Sequence, residues 1–254
     1  MTSLATAQFI WIALLGTFSG LMIGCIGIGG VILVPALVFL SDIPIKVAIP
    51  AAMFAYILSG LVATIVFARN KSIRWGMAIG LCIGAAPAAF AGAWAVSVFN
   101  RQILEACLGL LTFFSGVNSL RTRKTVEAAD AKVSNPVLLG VGGFTGFLSS
   151  LTGTGGPLVL VPIMLSMRVP VLTAVGLSQA VQLPVAIAAT LGNVLYGKLD
   201  LTLGGILAMS LTVGSWFGAK LAHSVPRSLL RQIVSIVLLL IGAFILVNVG
   251  RRYI

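Results

Sequence analysis

The sequence predicts an all-α, polytopic integral membrane protein. It is expected to hold two homologous repeats of about four transmembrane helices each, with a glycine-rich broken or hairpin helix at the start of each repeat. Three observations predict this class. Of 254 residues, 59% are apolar and 8% are charged, with a mean hydropathy of +1.15, whereas soluble domains are about 25% charged. The charges cluster, leaving apolar stretches near the length of about 20 residues that crosses a bilayer as a helix. The two halves also match each other at a constant offset. A soluble enzyme and a disordered tail are thereby excluded. The net charge of +11 does not indicate nucleic acid, because the basic residues sit in short loops between apolar runs, where they orient a membrane protein.

The apolar runs of the first half fall at 6–23, 31–40, 47–68, 75–98 and 102–120. Those of the second fall at 136–151, 157–167, 172–196, 201–219 and 229–249. The charged stretch 121–135 is the one long loop, separating a first repeat, 1–120, from a second, 136–254. No basic residue precedes the first run, which argues against a cleavable leader. Cys25, Cys82 and Cys107 stand alone inside apolar runs, a spacing that suits buried small residues and neither a metal nor a disulfide. No cofactor is expected.

The duplication rests on an offset of 126 residues, which aligns Phe18 with Phe144 and Gly20 with Gly146. It also aligns Gly27, Gly29 and Gly30 with Gly153, Gly155 and Gly156, Arg101 with Arg227, and Gly116 with Gly242. Runs 31–40 and 157–167 are too short to span alone. Each follows a glycine-rich segment, CIGIGG (25–30) or LTGTGG (151–156), and each holds a proline, Pro35 or Pro162. If the short runs continue across the membrane, both termini are cytoplasmic. If they turn back as hairpins, the halves are inverted and both termini are external. The distribution of Lys and Arg leans slightly to the second arrangement.

Irregular backbone survives at membrane depth only inside protein or beside a wet cavity. The first amides of each short helix, near Gly30 and Gly156, have no partner within the helix and carry the positive end of its dipole. Pro157 suits a helix start. Two such ends converging at midplane would hold an anion without a buried Lys or Arg. The site residues expected from this reading are Gly27, Gly29, Gly30, Thr152, Gly153, Thr154, Gly155 and Gly156. Close packing is the competing reading for glycines, and it is preferred for Gly16, Gly20, Gly24, Gly142 and Gly146, spaced by four. Ser149, Ser150, Thr152 and Thr154 make the second copy the more polar one, since the first has Ile23, Gly24, Ile26 and Ile28 there.

Polar residues inside apolar runs usually face an interior. Ser178, Gln179 and Gln182 are added to the expected site, the glutamines being three apart on one helix face, with interhelical hydrogen bonding as the other reading. Asn193 and Tyr196 are weaker candidates for lining a path. Trp11, Trp75, Trp94 and Trp216 suit an interfacial belt. Asp42, Glu127, Asp130, Asp200 and His223 read as loop residues, and Glu105 is placed to pair with Arg101. A carboxylate proton relay therefore has no candidate. Anion efflux needs none, because a negative cytoplasm favours exit by about 2.3 kcal/mol per charge per 100 mV. No nucleophile with an activating base is evident either, so an enzyme is not expected.

GCIGIGGVILVPAL (24–37), GTGGPLVLVP (153–162) and AVGLSQAV (174–181) resemble the sulfite exporter TauE/SafE family over about residues 10–249. Two departures appear: only Gly29 and Gly30 are adjacent in the first motif, and AIPAAM (48–53) stands where a Thr-Ser pair is common. The resemblance implies two related half-repeats and export of a small sulfur-containing anion such as sulfite or a sulfonate. An anion channel of the same build and a proton- or Na⁺-coupled uptake carrier are the alternatives. The implied partners are a small anionic substrate and the lipid bilayer, with no nucleic acid. The assembly is left open between a monomer and a homodimer. The implied location is a bacterial inner membrane, crossed several times.

Overall fold

The computed structural model of the protein describes residues 6–26, 30–121, 133–221, 236, 239–240, 242–248 and 250. Among the described residues the chain is helical, with no strand. The first half supplies α1 (Thr6–Ile26), α2 (Gly30–Phe39), α3 (Ile45–Arg69), α4 (Trp75–Val98) and α5 (Arg101–Arg121). The second supplies α6 (Asn135–Thr152), α7 (Pro157–Ser166), α8 (Val171–Tyr196) and α9 (Leu201–Leu221), and residues 242–248 are also helical.

Five of the described helices, α1, α3, α4, α8 and α9, are long and apolar enough to cross a membrane. Their outward faces carry large apolar side chains such as Ile83 on α4, Leu195 on α8 and Met209 on α9, each more than half exposed. Water would reject such faces and lipid accepts them. This is a multi-pass membrane protein. Helices α2 and α7 have 10 residues each, about 15 Å at 1.5 Å per residue, or half the hydrocarbon core. Trp11, Trp75, Trp94 and Trp216 are all exposed.

Side-chain register fixes the direction of each helix. Gly16, Gly20 and Gly24 meet Ser210, Leu211 and Ser215 in rising order, so α1 and α9 run parallel with their backbones in contact. Gly142 meets Leu81 and Gly146 meets Ala85, so α4 and α6 do the same. Small residues at a spacing of four allow that approach. α3 also parallels α9, through Phe54 against Gly204 and Ser215 Oγ donating to Ser59 O at 3.5 Å. Since α1 and α3 point the same way, α2 between them must run back. α3 and α8 cross the centre antiparallel: Thr64 Oγ1 donates to Gln179 O at 2.9 Å, and Gln182 Nε2 to Ser59 Oγ at 3.5 Å.

Candidate anion site at the helix breaks

Helix α6 ends at Thr152 because Gly153 turns left-handed (φ 71°, ψ 23°), its N–H capping Ser149 O. Thr154 N–H also donates to Ser149 O, at 3.1 Å. Gly155 (φ 79°) and Gly156 (φ 110°) continue in conformations that L side chains avoid, and α7 then starts at Pro157. A real break therefore stands where LTGTGG predicts one. The N–H groups of Gly155 and Gly156 have no backbone acceptor among the described residues. They sit at the start of α7, beside its positive dipole end.

Gly30 opens α2, fully buried, with a Cβ there meeting Thr154 O and standing 2.9 Å from Tyr56 Oη. The start of α2 thus touches the 153–156 break, Gly30 against Thr154. Gly27 and Gly29 lie outside the described residues, as do Glu127, Asp130 and His223.

One side chain ties the start of α2 to this break. Tyr56, wholly buried at the twelfth position of α3, places its hydroxyl 3.2 Å from Gly153 O and 3.4 Å from Gly30 O. With one proton it donates to one carbonyl at a time, Gly153 being nearer. Its ring lies 3.0 Å from where a Cβ of Gly155 would stand. Sequence reasoning passed over Tyr56, although the 126-residue offset sets it opposite Gln182, a signal that was present.

The remaining expected residues separate. Thr152 Oγ1 donates to Leu148 O at 2.7 Å, so in its 3.1 Å contact with Thr154 Oγ1 it accepts and Thr154 donates. Gln182, the twelfth residue of α8, is 1% exposed and has its Cα 4.0 Å from where a Cβ of Gly156 would stand. Its Oε1 is unpartnered and its Nε2 makes only the long contact to Ser59. Turning the amide over would let Ser59 donate to Oε1 and free the NH₂ for a ligand. Gln179 Nε2 instead donates to Ile23 O at 2.9 Å, tying α8 to the end of α1. Ser178 is buried but donates to Val175 O in its own helix, at 2.7 Å. Tyr196 is half exposed and stacks edge-on against Phe90.

The donors around the break are thus neutral amides and hydroxyls. Glu105, the one fully buried acidic residue among the described ones, is held by Arg101 Nε at 2.6 Å near the start of α5. Nothing in this set suits a transition metal, and no group of three His, Cys, Asp or Glu occurs among the described residues.

Comparison with known proteins agrees with a membrane transporter. The profile of the family described as sulfite exporter TauE/SafE matches residues 12–245. The chain is 25% identical to the probable membrane transporter protein YunE of Bacillus subtilis, over 92% of this chain and 96% of that protein. It is 27% identical to the probable membrane transporter protein MJ0441 of Methanocaldococcus jannaschii, over 92% and 93% respectively. The probable membrane transporter protein YdhB of Bacillus subtilis is 25% identical over 89% and 96%. No solved structure matches the chain significantly.

Proposed function

Taking as premise that the chain belongs to the sulfite exporter TauE/SafE family of membrane transporters, we propose that it exports a small sulfur-containing anion, sulfite or a sulfonate, as a secondary carrier of the inner membrane of a bacterium. The observation that carries this reading is the break at 153–156. Two amides without backbone acceptors stand there at half depth beside Thr154 and Gln182, at the start of a helix. Helix starts with free N–H groups bind oxyanions, and a neutral site binds weakly enough to release its cargo.

The reading includes an inverted duplication, with the site where the repeats meet. Three features support it. Helices α3 and α8, which the offset pairs, run antiparallel. Asp42 (φ 52°) and Arg168 (φ 60°) are both left-handed, and they differ by the same 126 residues (42 + 126 = 168). Tyr56 and Gln182 occupy the twelfth position of their helices.

Flux of sulfite or sulfoacetate from proteoliposomes tests the function. Saturable flux that responds to voltage is expected, and Gly156→Val or Gln182→Leu should reduce it at least about tenfold, as the loss of one or more binding hydrogen bonds implies. Unchanged flux in both variants would remove the break as the site. Counterflow, labelled anion accumulating against excess unlabelled anion, separates a carrier from a channel, which cannot show it.

A further inference from the structure

Away from the break, Thr145, Ser149 and Ser150 on α6, and Thr190 and Asn193 on α8, are buried polar side chains with no hydrogen-bond partner among the described residues, as is Ser19 on α1. None is more than 8% exposed, and Asn193, at 0%, has both ends of its amide unpartnered. A buried polar group left dry is costly, and water or a polar ligand beside these groups would remove that cost.

The depths of the five on α6 and α8 coincide. A Cβ on Gly92 of α4 would stand 2.9 Å from Ser150 Cβ, and one on Gly192 of α8 would stand 2.7 Å from Ala93 Cβ. Helices α6 and α8 therefore place these groups along the same stretch of α4, and they also pack on each other. Thr145, Ser149 and Thr152 are spaced by four and three, forming one stripe of α6 that leads to the break. Gln182 and Asn193 lie three turns apart on one stripe of α8. At the 126-residue offset the counterparts are Ser19, Ile23, Gly24, Thr64 and Phe67. There Ile23 and Phe67 are buried apolar residues and Thr64 is already bonded to Gln179 O. Ser19 is likewise buried without a partner, so among these counterparts one such group stands against five in the second half.

Building on the anion-carrier reading above, we propose that these five groups form a second anion station. It is a hydrated wall beside the break, along the stretch of α4 that α6 and α8 both contact. Hydroxyls and an amide both donate and accept, so they can replace the water shell of an oxyanion without trapping it as a full charge would. Asn193 is its principal ligand, since it alone offers two free donor hydrogens and a free acceptor.

The test is thiol accessibility in reconstituted membranes. With Cys25→Ala, Cys82→Ala and Cys107→Ala as background, Ser149→Cys and Asn193→Cys are compared with Leu177→Cys, a wholly buried apolar control on α8. The probes are sulfonatoethyl methanethiosulfonate, an anion, and its trimethylammonioethyl analogue, a cation. Reaction requires thiolate, hence water, so both positions should react at least about tenfold faster than the control. The anionic reagent should be the faster one, and sulfoacetate should slow it. Reactivity no greater than at Leu177→Cys, or a faster cationic reagent, overturns the station. Asn193→Leu should keep or raise thermal stability while lowering sulfite flux; unchanged flux also overturns it. Absence of any anion flux in the unaltered protein would instead overturn the carrier reading itself.

Discussion

At Gly156 the backbone, not the space, forbids a side chain. The nearest atom to a Cβ there is Gln182 Cα at 4.0 Å, but φ is 110°. Gly156→Ala should therefore cost about 1–3 kcal/mol of strain, read as a lower melting temperature with the protein still folded. Gly155 adds a steric term, because Tyr56 lies 3.0 Å from its Cβ position, so Gly155→Val should be the worse variant in the same assay. Tyr56→Phe keeps the ring and removes the hydroxyl shared by Gly153 O and Gly30 O. A loss of about 1–2 kcal/mol is expected for leaving a buried carbonyl unpaired, measured by thermal melting. No loss would mean that the tyrosine does not hold the start of α2 to the break.

At the scale of elements, the parallel seams α1 with α9 and α4 with α6 depend on glycines whose neighbours are backbone atoms. Gly146 faces Ala85 O, while Gly140 on the same helix has nothing within 4 Å. Gly146→Leu should thus abolish a monodisperse peak in size-exclusion chromatography, and Gly140→Leu should leave it unchanged. Equal behaviour of the two would remove the seam as the cause. Helices α2 and α7 are built differently. Ten residues each, with nine buried in α2 and six in α7, they are held by their surroundings, because helices that short are marginal alone.

Across the whole molecule, the helix directions put Arg69, Lys71, Arg74, Arg168 and Lys220 at one membrane face, and Lys46, Arg101 and Lys198 at the other. The positive-inside rule makes the first face cytoplasmic. Ser72→Cys should then be labelled only from the cytoplasm and Asn100→Cys only from outside, by an impermeant maleimide on cells and inverted vesicles. The reverse pattern would turn the molecule over.

The break at 153–156 was legible because glycine clusters inside apolar sequence have few other uses at membrane depth. The proposed pairing of halves rests on glycines and an arginine that recur at one offset. Packing glycines at a spacing of four were recognisable for the same chemical reason. Tyr56 was not, since a lone tyrosine in an apolar run carries no local sign of where its hydroxyl points. The division between Gln182 at the break and Gln179 on the end of α1 was equally hidden. Both lie on one helix face, and only the neighbours brought by α1 and α3 distinguish them. Composition and periodicity settled by themselves that this chain crosses a membrane as helices, because burial in lipid is a property of each segment. Which way each helix runs, which carbonyls meet, and which buried hydroxyls are left without partners were decided by tertiary structure, because they depend on contacts between residues far apart in the chain.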